Sequence, residues 1–258
     1  VTMAAGLAVE GFKPVVAVYS TFLQRAYDQI LHDVCLQNLP VVFAVDRAGL
    51  VGEDGETHNG LYDLAYLRNL PNLVLMAPAS ASELTGMFKT ALELKCPAAI
   101  RYPRGPAERL LTGDAGELRP GKAQLLAEGA DLLILAAGSM VAPALKAHEL
   151  LLKVHISSSV INTRFIQPLD KDLICHWAEK CGRVITVEEH ILSGGFGSAV
   201  LEMLADEGIQ GIRLMRLGLR SPYTGQGSRN FLLELHGLSA EKIAREACRL
   251  CRVQERVY

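Results

Sequence analysis

The sequence predicts an α/β protein made of two doubly wound sheet domains. Short apolar, β-branched runs alternate with amphipathic stretches along the chain, as in parallel strands joined by crossover helices. The runs are continuously apolar, which predicts strands covered on both faces. A stretch rich in glycine and proline near the middle is typical of a domain boundary. These three observations place domains at residues 1–105 and 121–258, with a linker at 106–120.

The first domain is predicted to contain four strands and two long helices. Its strands fall on the apolar runs at residues 15–19, 41–45, 73–76 and 98–102. A helix is predicted from about Thr21 to Gln37. The next helix begins at Ser80, because Glu83 supplies a capping-box partner three residues later. Val1 and the residues after it are typical of the middle of a packed helix, so the chain is expected to begin inside a domain.

The second domain repeats the alternation. Strands are predicted at residues 132–137, 158–161, 184–188 and 212–217, and helices near 141–153 and 171–180, after Gly197, and at 239–252. The glycine-rich residues 194–197 predict a tight turn from a strand into a helix. A phosphate cradle is the weaker alternative, because no complete GxGxxG or P-loop pattern surrounds them.

Composition excludes several classes of partner. The chain has 26 basic and 28 acidic residues among 258, interspersed along its length, so neither nucleic acid nor a membrane surface is an expected partner. Its apolar runs are shorter than the roughly 18 residues that a membrane span needs. The six scattered cysteines indicate a reducing compartment, so a cytoplasmic location is predicted. A plastid location stays open.

Polar side chains that follow the first domain's strands are the candidate site. Ligands of parallel sheets bind beyond the carboxyl ends of the strands. Residues 19–25, 46–60 and 101–104 occupy such positions. They contribute three arginines, a carboxylate and an imidazole, namely Arg25, Arg47, Arg104, Asp54 and His58. This set suits an anionic, phosphorylated substrate and proton transfer at a carbonyl group.

Each candidate also has an ordinary structural interpretation. An arginine after a strand can form a surface ion pair, and Phe22 can be a core aromatic. Asp54 begins an Asp-Gly turn signal, and the residues around it imitate a metal loop without a convincing ligand set. His58 alone can be a loop hydrogen-bonding residue. The acidic pair at residues 188–189 resembles a two-carboxylate site, but domain packing is the preferred interpretation.

Four motif blocks resemble the 1-deoxy-D-xylulose-5-phosphate synthase family of the transketolase superfamily. They are YSTFLQRAYDQ at 19–29, DRAG at 46–49, GEDGETH at 52–58 and RYPRG at 101–105. The second half is similar to the same family at RFIQPLD (164–170), VEEH (187–190) and GGFGS (194–198). The resemblance implies that residues 1–105 are the later part of a pyrimidine-binding domain. It also implies that residues 121–258 form a transketolase C-terminal domain.

The resemblance further implies a reaction. Pyruvate condenses with D-glyceraldehyde 3-phosphate, with loss of CO₂, to supply precursors of isoprenoids, thiamine and pyridoxal. The implied cofactors are thiamine diphosphate and Mg²⁺. Phe22 is implied to stack on the aminopyrimidine ring, and Tyr19 to shape the donor pocket. The implied phosphate and carboxylate clamp is Arg25, Arg47 and Arg104, while Asp54 and His58 orient the substrate and relay protons.

The sequence also departs from the family pattern. The family's cofactor-activating glutamate belongs to a Glu-Gln-His-Ala run just ahead of the position of Val1, and its metal-binding diphosphate domain lies further upstream. The chain is therefore expected to need its own N-terminal domain, which would hold the Mg²⁺ ligands, to be inactive by itself, and to form a homodimer. At residues 221–227 the family's usual His-Gly is absent, so the role of the loop at 223–227 stays open.

Three alternatives remain at this point: a 2-oxo acid dehydrogenase β-subunit, a transketolase, and a non-catalytic dimerisation module. All three would share much of the predicted fold, so the sequence patterns alone do not separate them.

Overall fold

The computed structural model describes residues 1–106, 118–221 and 224–252, without the side chain of residue 53. Most of the predicted linker, at 107–117, lies outside the described residues, as do two residues of the loop at 221–227. The linker boundaries therefore remain a prediction. None of the helices in the described ranges has the length and apolar character that a membrane crossing requires.

The described residues form ten strands in two sheets. In chain order they are β1 (Val15–Tyr19), β2 (Val42–Asp46), β3 (Val74–Met76), β4 (Ala98–Arg101), β5 (Gln124–Ala127), β6 (Leu132–Ala136), β7 (Ser158–Asn162), β8 (Phe165–Gln167), β9 (Arg183–Ile191) and β10 (Arg213–Leu219). The first sheet has the order β1-β2-β4-β3-β8, and the second has the order β10-β9-β6-β7-β5. The predicted α/β class with two sheets is confirmed.

Both sheets are mixed rather than wholly parallel. The antiparallel strands are β8, against β3, and β5, against β7. Neither short strand was predicted from the sequence. Strand β8 follows the linker but adds to the first sheet, so the two predicted domains share a sheet instead of being joined only by a linker.

Helices cover the sheets. They are α1 (Thr2–Val9), α2 (Ser20–Leu23), α3 (Tyr27–Gln29), α4 (Asp63–Leu67), α5 (Ala81–Glu93), α6 (Val141–Leu152), α7 (Lys171–Cys181), α8 (Phe196–Asp206), α9 (Arg229–Leu235) and α10 (Ala240–Cys251). The predicted start of α5 is confirmed, since the Ser80 hydroxyl accepts the backbone N–H of Glu83 at 3.2 Å. The Glu83 carboxylate bonds Ala79 N rather than the cap itself, and also Arg164 Nε at 2.7 Å.

The predicted continuous helix over 21–37 is wrong. The segment is α2, a 3₁₀ turn (Gln24–Ala26), α3 and a π-helical stretch (Ile30–Cys35). Leu23, Ile30 and Val34 face the core along this segment, while Phe22 is exposed. The i, i+7, i+11 spacing of the three buried residues is that of a uniform helix, so the buried face was predictable while the changes of pitch were not.

The prediction that every strand is covered on both faces is wrong for β1. This edge strand leaves Val15 48% exposed. By contrast, β3, β4, β6 and β7 are buried throughout. Central strands receive helices on both sides, whereas the edge strand β1 has one neighbouring strand, β2, in this chain.

The two halves also share their hydrophobic packing. Leu50 and Leu61, which lie near the two ends of the loop after β2, are buried in the same cluster as Ile134, Ile185 and Ile243 of the second half. This loop carries candidate site residues, so the C-terminal half contributes directly to where they sit.

Candidate active site

An exposed aromatic shelf forms where β1 ends. Tyr19 is the last residue of β1, and α2 begins immediately after it. The turn places the ring of Phe22 5.2 Å from that of Tyr19 and nearly parallel to it, and 6.0 Å from the imidazole of His58. Phe22 is 54% exposed. It is therefore not a core aromatic, and its ring surface is available to a planar ligand.

A charged cluster lies beside this shelf. The Asp54 carboxylate accepts a hydrogen bond from Arg104 Nη1 at 2.6 Å and forms an ion pair with Arg47. The Arg47 guanidinium also lies 4.1 Å from the centre of the Tyr19 ring, a cation–π contact. The structure thus brings together four residues predicted separately from strands β1, β2 and β4.

Arg47 has a strained backbone conformation in this position. Its φ is +55°, which non-glycine residues seldom adopt, and its N–H donates to the Asp46 carboxylate at 2.6 Å. Such strain persists where surrounding contacts fix it, and it occurs often at functional sites. The turn aims the chain after β2 back over the sheet edge.

His58 ends the 3₁₀ turn Glu56–His58 and is half-buried at the shelf. Its Nδ1 lies 3.1 Å from the Thr57 hydroxyl. An imidazole at a partly exposed aromatic surface can donate a proton to a bound carbonyl compound or accept one from it.

Arg25 is the one predicted site residue that the structure does not bring into the cluster. It lies exposed in the 3₁₀ turn Gln24–Ala26, and among the described residues it forms no ion pair with Asp54. Its role in substrate binding therefore remains a prediction that no contact with the cluster supports.

The loop that carries Asp54 and His58 is closed at its base. Gly49 and Gly60 exchange two backbone hydrogen bonds, of 2.7 and 2.8 Å. Gly60 has to be glycine, because a Cβ there would lie 2.4 Å from the carbonyl oxygen of Arg47. The Asn59 side chain accepts Val51 N–H at 2.9 Å and donates to the Thr224 hydroxyl at 2.6 Å.

Sequence reasoning missed Asn59 and Thr224. The sequence feature that could have indicated a closed loop is the pair Gly49 and Gly60 at its base. No pattern in the sequence connects Asn59 to Thr224, which lies more than 160 positions away.

A cleft of about 640 Å³ adjoins the cluster between the two halves of the chain. Arg104 and Tyr102 line it from the first sheet, and Ser139, Lys146 and Arg229 from the second half. Arg104 is the member of the charged cluster that lines this cleft, so its guanidinium is open to a ligand of metabolite size on this side.

Behind the exposed residues lies a buried joint between the halves. Arg101 donates from Nε to Asp63 at 2.7 Å and from Nη2 to the backbone oxygen of Glu189 at 3.2 Å. His190 lies 3.8 Å from Asp63 and has no solvent exposure. Arg101 and His190 lie at the carboxyl ends of β4 and β9, and Asp63 begins α4, yet these polar groups contact one another rather than solvent.

Burial keeps His190 neutral. Its Nδ1 donates to the backbone oxygen of Ile191 at 2.6 Å, and Nε2 accepts the N–H of Ala65 at 3.4 Å. Burial lowers the pKa of His190 to about 4; nearby Asp63 opposes this shift and Arg101 reinforces it. Burial is the largest of these effects, so the fold selects the neutral ring.

The acidic pair at residues 188–189 is buried rather than presented to a ligand. Glu188 accepts the N–H groups of Phe196 and Gly197, at 2.6 and 2.8 Å, at the start of α8. Burial raises the pKa of Glu188 to about 7, against the lowering effect of these two bonds. The predicted tight turn at 194–197 is present, and a side chain of the protein itself fills the helix terminus.

The shelf fits the pyrimidine portion of thiamine diphosphate. Phe22 offers an exposed ring, and next to it the hydroxyls of Ser20 and Thr21 are buried with no hydrogen-bond partner among the described residues. A flat ring with polar substituents matches both features. No group of three His, Cys, Asp or Glu side chains in the described part of the chain could hold a metal ion.

Comparison with known proteins agrees with this arrangement. The pyrimidine-binding domain of transketolase matches residues 1–108, and the transketolase C-terminal domain matches residues 121–243. A solved structure described as a split gene transketolase, inactive beta4 tetramer, is 31% identical, with a TM-score of 0.90. The match covers 98% of this chain and 81% of that one. This chain belongs to the transketolase superfamily.

Within the superfamily, its sequence is similar to 1-deoxy-D-xylulose-5-phosphate synthases, as the motif blocks indicated. The protein of that name from Desulforudis audaxviator is 52% identical over 96% of this chain, and the one from Halothermothrix orenii is 50% identical over all of it. The chain spans only 39% and 40% of the lengths of these two relatives. The superfamily implies dependence on thiamine diphosphate.

Proposed function

We propose that this chain supplies the substrate-facing part of a 1-deoxy-D-xylulose-5-phosphate synthase. The proposed reaction joins pyruvate to D-glyceraldehyde 3-phosphate with release of CO₂. The observation that carries the proposal is the exposed edge, which we define as Tyr19, Phe22, Arg47, Asp54, His58 and Arg104. It places an aromatic shelf, two guanidinium groups, a carboxylate and an imidazole within one connected surface.

The guanidinium groups bind the anionic ends of the substrates. Arg104 is 46% exposed at its side chain and lies at the mouth of the cleft, so it can reach a phosphate while Asp54 holds its other face. Arg47 is held more rigidly, between Asp54 and the Tyr19 ring. Guanidinium groups bind phosphate and carboxylate through paired N–H donors, which fixes the orientation of the substrate.

Asp54 orients the two arginines, and His58 transfers protons to and from the substrate. The Asp54 carboxylate keeps both arginines pointed at the same region, and His58 lies at the shelf where the reacting carbonyl groups would be. Thiamine diphosphate, when bound, supplies the carbanion chemistry that decarboxylation of pyruvate requires. His58 then gives or takes the proton of the acceptor's carbonyl and hydroxyl oxygens.

The diphosphate end of the cofactor and Mg²⁺ are assigned to a further part of the protein outside this chain. This assignment rests on the share of the relatives that the chain covers. We further infer a homodimer and a cytoplasmic location. The described cysteines are all free thiols, which supports a reducing compartment.

The test is an assay of the chain completed with its diphosphate-binding part. Release of labelled CO₂ from carboxyl-labelled pyruvate should require glyceraldehyde 3-phosphate and yield a five-carbon sugar phosphate. Asp54→Asn should lower kcat/KM at least tenfold, because the two arginines lose their shared anion. Ketol transfer between sugar phosphates, or acyl transfer to a lipoyl carrier, in place of this product would reject the proposal.

A further inference from the structure

We propose that Glu189, in β9 of the C-terminal half, is a positioning residue for the substrate site. It acts through the loop at residues 47–60, which carries Asp54 and His58. This inference rests on the proposed function and deepens it, since it assigns acceptor binding partly to a residue that touches no substrate.

Glu189 is almost fully buried and bonds three separate segments. Its Oε1 accepts the backbone N–H of Leu50 at 2.9 Å and Nε of Arg229 at 3.0 Å. Its Oε2 accepts the Ser139 hydroxyl at 2.6 Å and forms a short ion pair with Nη2 of Arg229. The carboxylate is therefore saturated by four bonds from three residues, and one of these bonds comes from the backbone of the loop.

The loop backbone is shaped around this carboxylate. Gly49 has φ of +91°, and a Cβ there would lie 2.6 Å from the carboxyl carbon of Glu189. Gly52 faces the same domain, because its Cβ would lie 3.0 Å from the backbone nitrogen of Arg229 and 3.1 Å from the carbonyl oxygen of Gly227. Glycine at both positions lets the loop lie directly against the C-terminal half.

Other residues of the loop, on either side of the bond from Leu50 to Glu189, also attach the loop to the C-terminal half. Leu50 is buried in the core of the C-terminal half, and Asn59 donates to Thr224 at 2.6 Å. The backbone N–H of Gly225 donates to the Glu56 carboxylate at 3.3 Å. Arg47 and Asp54 lie on either side of the Leu50 contact, so movement at Leu50 would be transmitted to the ion pair between them.

Replacement of Glu189 by glutamine would disturb this arrangement without opening a cavity. The amide oxygen could still accept from one side, but in either orientation the amide NH₂ would face an N–H donor of Arg229, which bonds both carboxylate oxygens. Two opposed donors at a buried position cannot both be satisfied, so the side chain or the loop must shift.

The adjacent residue gives a matched control. Glu188 is also buried in β9, but it bonds the start of α8 and not the loop. Glu188→Gln therefore tests loss of a buried carboxylate of the same size, one residue away, without touching residues 47–60.

Two measurements test the inference. In the completed enzyme, Glu189→Gln should raise the KM for glyceraldehyde 3-phosphate on the order of tenfold, with kcat within about twofold, because acceptor binding is what the loop supports. Glu188→Gln should leave that KM within about twofold of wild type. In the chain by itself, amide hydrogen exchange at Leu50 and at residues 56–60 should accelerate in Glu189→Gln only.

The two measurements separate this inference from the proposed function. If the wild-type enzyme lacks the synthase reaction, the proposed function fails, and the exchange experiment alone then decides the positioning role. Unchanged exchange at Leu50 in Glu189→Gln would overturn the inference. An equal rise of the acceptor KM in both variants would also overturn it, since a general loss of stability would then explain the effect.

Discussion

Two arginines three residues apart, Arg101 and Arg104, show how the same chemical group serves different ends in this molecule. Arg101 is 4% exposed, and its guanidinium bonds Asp63 and a backbone oxygen of the second half. Arg104 has a side chain 46% exposed and shares Asp54 with Arg47 at the mouth of a cleft. Arg101 belongs to the structure that holds the halves together, whereas Arg104 lines the cleft and is available to the proposed substrate.

The same contrast holds for the two groups of residues to which they belong. The exposed edge retains access to solvent. The buried joint, which we define as Asp63, Arg101, Glu188, Glu189 and His190, uses its polar atoms within the protein. A polar residue at the carboxyl end of a strand is thus not by itself evidence of a ligand site. A residue of a ligand site differs from a structural one in that it is accessible to solvent and has polar atoms that are not already hydrogen-bonded within the protein.

The largest expected effect is on the buried joint. Arg101→Met would leave the fully buried Asp63 carboxylate without its cation, and the free energy of unfolding should fall by about 3–5 kcal/mol. Urea denaturation of the chain measures this change. The double variant Arg101→Met/Asp63→Leu should recover much of the loss, because it removes the uncompensated charge. A loss below about 1 kcal/mol would show that the joint is not a dry ion pair.

A somewhat smaller effect is expected from acid at His190. Its pKa in the folded state is about 4, below the value of 6.5 for a free imidazole. Between these values the unfolded chain binds more protons, so the stability due to neutral His190 is lost as pH falls from about 6.5 to about 4. The free-energy difference between wild type and His190→Asn should change by about 2–3 kcal/mol over this range.

Glu188 changes stability in the opposite direction, because its raised pKa of about 7 makes the folded chain bind the extra proton. Glu188 is present in both proteins, and its carboxylate lies 3.8 Å from Nδ1 of His190, so the difference between them reports His190 together with its effect on Glu188. Urea titrations at several pH values supply the measurement. A difference that does not vary with pH would mean that His190 is hydrated or charged in the folded chain.

The smallest expected effect on stability is at the exposed edge. Arg104→Met should lower the free energy of unfolding by no more than about 1 kcal/mol, because the pair is partly solvated and Asp54 keeps Arg47. The same variant should raise the KM for the phosphorylated acceptor about tenfold or more in the completed enzyme. A loss of stability equal to that of Arg101→Met would remove the distinction between the two arginines.

Local patterns predicted much of this molecule correctly. Apolar runs gave most of the strands, and the Ser80 cap gave the start of α5, because both depend on neighbours in sequence. Four of the residues proposed for substrate and cofactor, Tyr19, Phe22, Arg47 and Arg104, lie on one surface with Asp54 and His58. Parallel strands place their carboxyl ends at one edge, which is why this grouping was predictable.

Other features required the folded chain. A helical period could not predict the π-helical stretch Ile30–Cys35, and the sequence did not distinguish Arg25, which stands apart, from Arg47, which joins the cluster. The pairing of β8 with β3 joins residues about 90 positions apart, and the bond from Leu50 to Glu189 joins positions 139 apart.

The sequence by itself therefore determined the fold class, the family and the residue types of the site, since each is written in short motifs and local periodicity. Only the tertiary structure decided which charges are buried and which remain exposed. Burial depends on the packing of distant segments, and it sets whether a carboxylate or guanidinium stabilises the protein or is available to bind a substrate. Glu189 illustrates this dependence on packing. It lies in β9, and its buried carboxylate bonds the loop on which the proposed substrate site depends.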